Sequence, residues 1–195
     1  NAGTITVDEI SQAFAGTKMR TGAGGIVGNA NGSIIRNVVN AGSVIAAGAR
    51  AGGIAGSFGK ISHTLGSGVN DMSNAINYGV VSTPDITTIG ALAGYAGTQG
   101  AIQNNYWDAQ IIIVKAIGNA DMEGMTGVET SVLTSGTPLE GFDAQLWDFT
   151  AGQYPVLKQF TEEEKMMKGR KVIVSMKPGV TAKDMSQNAQ LAKED

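Results

Sequence analysis

One motif returns along this chain and limits what the chain can fold into. Ala23-Gly24-Gly25-Ile26-Val27-Gly28 is followed nine residues later by Asn37-Val38-Val39-Asn40-Ala41-Gly42-Ser43-Val44. A second copy, Ala51-Gly52-Gly53-Ile54-Ala55-Gly56, is answered by Asn74-Ala75-Ile76-Asn77-Tyr78-Gly79-Val80-Val81. A third, Ile89-Gly90-Ala91-Leu92-Ala93-Gly94, is answered by Asn104-Asn105-Tyr106-Trp107-Asp108. Gly28, Gly56 and Gly94 are 28 and 38 residues apart, so the extra length falls in connections, chiefly His63 to Asp71. A unit repeating every 20 to 50 residues or roughly so cannot bury its apolar face alone and must stack on a neighbour.

The apolar positions then sort into four ladders of like side chains. They are Ile26 and Val27 with Ile54 and Leu92; Ile34 with Ile61 and Ile102; Val39 with Ile76 and Tyr106; and Val44 with Val81 and Ile111. Short β-branched runs bounded by Gly and Asn read as strands. Small neighbours let one backbone pass close to the next, and glycine supplies the positive φ of tight corners. The repeated asparagines either bond their own turn or stack on their equivalents in the next layer. The expected fold is all-β: a β-solenoid, parallel β-helix-like, built of short Gly-rich coils with small capping helices.

The pattern Gly-Gly-Ile-Val-Gly, a polar turn, Gly-Ser-Ile, then Asn-x-x-Asn-x-Gly resembles the GLUG repeat of bacterial cell-surface, adhesin-like proteins. Asn105-Tyr106-Trp107-Asp108, Gly124-Met125-Thr126, Leu146-Trp147-Asp148-Phe149 and Gly152-Gln153-Tyr154-Pro155-Val156-Leu157 are similar to that family's terminal unit. The resemblance spans roughly residues 1–158. It implies a β-helix-like solenoid, export, and display at the cell envelope, and it carries no catalytic residues with it.

Twenty-eight glycines and no cysteine exclude a disulfide scaffold and a thiolate metal site. A net charge of −3 gives no electrostatic footprint for nucleic acid. No apolar run approaches the roughly 18 residues of a membrane span, and no signal peptide opens the chain. Asn1-Ala2-Gly3-Thr4-Ile5 matches Asn40-Ala41-Gly42-Ser43-Val44, so the chain is expected to begin inside a repeat of a longer parent that carries another coil and an export signal upstream. The expected location is extracellular or at the surface of a bacterial cell.

Thr6-Val7-Asp8-Glu9 has capping-box spacing and predicts a short helix over 6–16; Thr126-Gly127-Val128-Glu129 predicts another before Val132 and Leu133. Trp147, Phe149, Tyr154 and Leu157 gather aromatic and apolar bulk expected to plug the open end of the core. Of the last 35 residues 13 are charged, against 18 of the first 160, which marks a boundary. Residues 1–160 are the expected repeat domain with its aromatic cap, and 161–195 a linker or the start of a small following domain, since so short a piece is too small for a core of its own.

Candidate ligand-binding residues are His63, Asn70 and Asp71, in a long connection that should project from the stack, and Trp107, as a stacking platform for a sugar ring. His63 is the only histidine, which supplies neither a nucleophilic triad nor a zinc site. Carboxylates are sparse through residue 160, against a glycosidase pair or a calcium cage. Gly22 to Gly28 superficially suggests a dinucleotide fingerprint, but the third glycine falls late and the motif's relatives at Gly52 and Gly90 make it structural. No catalytic, metal or cofactor site is expected. The leading function is a non-catalytic, surface-exposed repeat module for adhesion, ligand binding or display, with a glycan or extracellular protein as partner. The alternatives are a polysaccharide-acting β-helix enzyme, for which Arg36, Arg50 and Lys60 are the only basic residues of the central stack, and an accessory domain of a surface peptidase.

Overall fold

The structure, a computed structural model, describes residues 1–7, 12–14, 17–19, 21–59, 70–84, 87–97, 99–118 and 120–158. The chain divides into two units, Asn1–Lys158 and Gln159–Asp195, and every described residue belongs to the first. The linker or small domain expected over 161–195 lies outside the described residues, as do Lys60, Ile61 and His63.

The unit is all-β, with one helix of four residues among the described residues. In chain order the strands are β1 (Ile5–Val7), β2 (Gln12–Phe14), β3 (Thr17–Met19), β4 (Gly22–Gly24), β5 (Val27–Ala30), β6 (Ile34–Asn40), β7 (Val44–Ala46), β8 (Arg50–Gly52) and β9 (Ala55–Phe58). There follow β10 (Asp71–Asn77), β11 (Val81–Ser82), β12 (Ile89–Gly90), β13 (Ile102–Gln103), β14 (Asn105–Asp108), β15 (Met125–Val128), helix α1 (Thr130–Leu133), β16 (Trp147–Asp148) and β17 (Val156–Leu157).

The strands join into small parallel sheets whose members come from successive repeats. β7 lies between β1 and β11, placing Ile5, Val44 and Val81 in register. β8 lies between β4 and β12, aligning Ala23, Ala51 and Ile89. β5 pairs with β9, and single bridges continue that row through Ala93 to Ile117. β10 pairs with β6 on one side and with β13 and β14 on the other, and β15 adds to β14. At the corner between the second and third rows, Ile26 N–H donates to Ile54 O at 3.0 Å, Ile54 N–H to Leu92 O at 2.9 Å and Leu92 N–H to Ala116 O at 2.9 Å. Ile54 and Leu92 are fully buried, each contributing about 1.5–3 kcal/mol by transfer from water. Glycine at the flank of this corner is dictated by distance: a methyl group on Gly52 would sit 2.6 Å from the Ala93 Cα.

Two of the expected ladders, through Ile26, Ile54 and Leu92 and through Val39, Ile76 and Tyr106, stand in register, and so does the pair Val44 and Val81. In the second ladder Ile102 holds its place beside Met72 and Ile35, Ile34 pairs instead with Asp71 and is 61% exposed, and Ile61 lies outside the described residues. Ile111 does not continue the Val44 and Val81 column; it is exposed on a turn, and Ile112 is the buried neighbour.

The asparagines explain the displacement. Asn37, Asn74 and Asn104 have φ of 52°, 55° and 57°, the left-handed region that asparagine tolerates better than most residues. Each turns its strand over in mid-course. Ile35 and Met72 therefore face the interior with Ile54, Phe58 and Leu92, whereas Val39, Ile76 and Tyr106 face an outer cluster. Both roles expected of the asparagines occur together. Asn40 Oδ1 accepts the Gly42 N–H at 3.3 Å and Asn77 Oδ1 the Gly79 N–H at 3.1 Å, while Asn40 Nδ2 donates to Asn77 Oδ1 at 2.8 Å. Asn1 Nδ2 donates to Asn40 Oδ1 at 3.0 Å, and Asn77 Nδ2 to Ala91 O at 2.7 Å.

The C-terminal aromatic residues do not plug an end of the stack. Trp147, Phe142 and Leu133 are buried against Ile76, with Val39, Tyr106, Phe149 and Tyr154 around them, so the cluster lies along the side of the sheet of β6, β10 and β14. Phe142 meets Trp147 edge-on at 4.8 Å, and Trp147 Nε1 donates to Asn37 Oδ1 at 3.3 Å, across 110 residues. The outward-facing Val39 and Ile76 require this cover, which is why the bulk lies on a flank. Tyr78 and Tyr154 stack at 4.2 Å.

Asp108 fastens the cover. Its Oδ1 accepts the N–H groups of Gln110 (2.9 Å) and Ile111 (3.2 Å), and its Oδ2 accepts the hydroxyls of Thr130 (2.7 Å) and Tyr154 (2.6 Å). Burial by itself would raise the pKa of this carboxyl; the bonds from Tyr154, Thr130, Gln110 and Ile111 outweigh burial and hold it below the ordinary carboxylate value.

One expected helix forms: α1 (Thr130–Leu133) takes in Val132 and Leu133, although not from the expected cap. Of the span 6–16, Thr6 and Val7 end β1 and Gln12–Phe14 pairs antiparallel with Thr17–Met19, while 8–11, 15 and 16 lie outside the described residues. Thr126 lies in β15, and the only helical turn begins after Glu129, whose side chain makes no cap bond. Ladder bonds from β14 claim Thr126 to Val128 before a helix can.

Candidate functional site

Asn70 and Asp71 open β10 and belong to the stack, not to a projecting loop. Asn70 is 1% exposed; its Oδ1 accepts the Ser33 N–H at 3.2 Å and its backbone carbonyl the Gly100 N–H at 2.8 Å. Asp71 Oδ1 accepts the Ala101 N–H at 2.9 Å, and Oδ2 lies 3.9 Å from Arg36 Nη2. The pair thus ties one repeat to the corners before and after it, which engages most of their polar atoms.

Trp107 ends the asparagine column. It stands in register with Asn77, is 8% exposed and packs in the interior, where Gly127 lies against the indole: a methyl at Gly127 would come within 2.7 Å of Cε2. In this position its ring serves packing. Along β10, Asp71 and Asn77 are six residues apart, so Asn70 and Trp107 are separated by roughly 20 Å at the rise of a strand. Asn70, Asp71 and Trp107 therefore do not converge on one site, and His63 lies outside the described residues.

Arg36 and Arg50, grouped in the enzyme alternative, sit in different sheets. Arg36 faces Asp71; Arg50 places its guanidinium 3.9 Å above the Tyr95 ring and donates to Ser57 Oγ at 3.3 Å. Among the described residues no three His, Cys, Asp or Glu side chains are grouped to hold a metal ion, and no helix is long and apolar enough to cross a membrane.

What the described structure does offer is a groove of about 730 Å³ beside β13. It exists because the last repeat is short. β10 spans seven residues; the next repeat answers it with β13 and β14, broken at Asn104, but β15 adds only to β14. Among the described residues, no strand pairs with the far side of β13. Met122, Glu123 and Gly124 form one wall and Glu140 stands on another, with Gln99, Gln103, Asn104, Tyr106 and Thr126 between. Gly124, at φ 77°, packs against the Ile102 carbonyl, and Gly141, at φ 78°, against the Asn104 amide; neither place has room for a side chain. Burial first, and the Glu140 carboxylate second, push the Tyr106 phenol above its ordinary pKa, so it remains a hydrogen-bond donor at neutral pH.

None of these groove residues was marked as a candidate from sequence. The available signal was the register itself: Tyr106 follows Ile76 by 30 residues, whereas Thr126 follows Tyr106 by 20, so the final repeat must leave part of the preceding one uncovered. Comparison with protein-family models, curated proteins and solved structures returned no match.

Proposed function

We propose that residues 1–158 are a β-solenoid segment of an exported bacterial surface protein, a non-catalytic module that displays, spaces or binds at the cell envelope. The observation that carries this reading is the register: equivalent residues of successive repeats bond in parallel, with Ile35, Met72 and Ile102 inside and the asparagine column beside them. Such an array presents long side faces built from repeated short units, a shape suited to extended contact with a glycan or protein. The resemblance of its Asn-x-x-Asn-x-Gly units to GLUG repeats supports the surface location.

The test has two arms. Antibody raised to the purified chain should label intact cells that make the parent protein; labelling only after lysis would overturn surface display. Incubation with a panel of polysaccharides should release no new reducing ends or unsaturated products, and catalytic turnover would overturn the non-catalytic reading. A glycan and extracellular-matrix array then ranks ligands.

A further inference from the structure

The groove beside β13 has a composition that selects among ligands. Its walls carry three carboxamides (Gln99, Gln103, Asn104), the Tyr106 phenol, the Thr126 hydroxyl and two carboxylates (Glu123, Glu140), and, among the described residues, no Lys, Arg or His. The two carboxylates enter no ion pair among the described residues: the pairs that form there are Arg36 with Asp71 and Lys115 with Asp121. Its volume of about 730 Å³ falls in the usual range for small-molecule sites, about 300–1,000 Å³. Carboxamides both donate and accept, carboxylates accept from two donors at once, and together they match a ligand dense in hydroxyls that also carries positive charge.

An extended peptide is the competing occupant, since β13 has an open side and sheet edges accept added strands. That mode needs free backbone groups along the edge. Here β13 is two residues long and Gly124 is seated on the Ile102 carbonyl, so the backbone offers no run for a strand to pair with. The side chains are what remain to recognise a ligand, and they are polar and anionic.

The geometry points to the β13 groove as a binding site for an amino-sugar glycan, in which ring hydroxyls engage Gln99, Gln103 and Asn104 and a protonated amine engages Glu140 and Glu123. This deepens the reading of the chain as a binding module and rests on it. Uronic-acid and phosphate-bearing polymers are repelled by the same two carboxylates.

The experiment uses the whole chain and soluble glucosamine oligomers, titrated by calorimetry and followed by amide chemical shifts at 0.15 M salt. Glucosamine tetramer should bind and shift the resonances of Gln103, Asn104 and Glu123, and Glu140→Gln should weaken it by about tenfold, the loss expected for one charge-assisted bond. Both glutamates are exposed, so Glu123→Gln and Glu140→Gln leave the folded state intact, which the amide spectrum of the free protein verifies. N-acetylated tetramer and neutral cello-oligosaccharide should bind more weakly, and polygalacturonate not at all. Equal binding of a lysine-rich peptide, shifts located elsewhere, or no change on Glu140→Gln would overturn the assignment. Those outcomes leave antibody labelling of intact cells unaffected, so failure of the groove and failure of the surface reading are told apart.

Discussion

Replacement of Asn77 by alanine tests the stacking more directly than any other single change. The side chain is fully buried and makes three bonds: Oδ1 accepts the Gly79 N–H at 3.1 Å and Asn40 Nδ2 at 2.8 Å, and Nδ2 donates to Ala91 O at 2.7 Å. Truncation leaves the Gly79 N–H buried without a partner, at about 1–3 kcal/mol, while the Ala91 carbonyl keeps the Gly53 N–H at 3.2 Å and loses about 1 kcal/mol. Asn40 Nδ2 loses less, because it also donates to Gly42 O at 2.9 Å. The expected loss is roughly 2–4 kcal/mol, a large share of the 5–15 kcal/mol or so that hold a domain together. Urea unfolding followed by tryptophan fluorescence, from Trp107 and Trp147, should show the midpoint fall with little change in slope. Asn1→Ala, at the exposed end of the same column, should cost under about 1 kcal/mol. If Asn77→Ala lies within about 0.5 kcal/mol of the parent, the column contributes no net stability and the account of how the repeats are held together is wrong.

Other substitutions probe the remaining joints. Gly53→Ala would drive a methyl group into the Asn77 amide and should cost about 1–3 kcal/mol, less in an Asn77→Ala background, so a double-mutant cycle should return a coupling; strict additivity would count against the contact. Trp147→Ala should cost about 3–5 kcal/mol by chemical denaturation, and Trp147→Phe, which loses only the bond to Asn37 and part of the ring, distinctly less; equal costs would remove the role of ring packing at this position. Asp108 has a depressed pKa in the folded chain, so its stabilisation is complete above the ordinary carboxylate value of about 3.9 and is lost as pH falls through the folded value. Asp108→Asn should therefore lower the melting temperature clearly at pH 7 and much less at pH 3, and a gap independent of pH would refute the assignment of charge at this position.

The parts of the fold that were legible in the sequence are those where side-chain type and register agree. Val39, Ile76 and Tyr106, and Ile26, Ile54 and Leu92, are apolar residues at matching distances from a glycine or asparagine, and each set is aligned. The adjacent Ile34 and Ile35 give no clue to which faces inward; the left-handed φ of Asn37 decides it, since a reversal in mid-strand breaks a simple alternation of faces. The same reversal turned Val39 and Ile76 outward, and so sent the aromatic segment to the flank and not to the end of the stack. The groove escaped notice because it is defined by a strand that is missing beside β13, and residues such as Gln103 and Glu140 have no distinctive spacing in the chain.

The side-chain amides of Asn1, Asn40 and Asn77 all donate the same way, toward later residues, and the series stops on the Ala91 carbonyl with an indole in the place where a fourth amide would stand. The asparagine column consequently has a polarity, and its two ends are not equivalent as places to add a repeat. A duplicate of residues 41–77 spliced in after Asn40 would find an amide to receive from above and one to give to below. The same insert placed after Trp107 would find a bulky ring, and lengthening there would first require that ring to be replaced by asparagine.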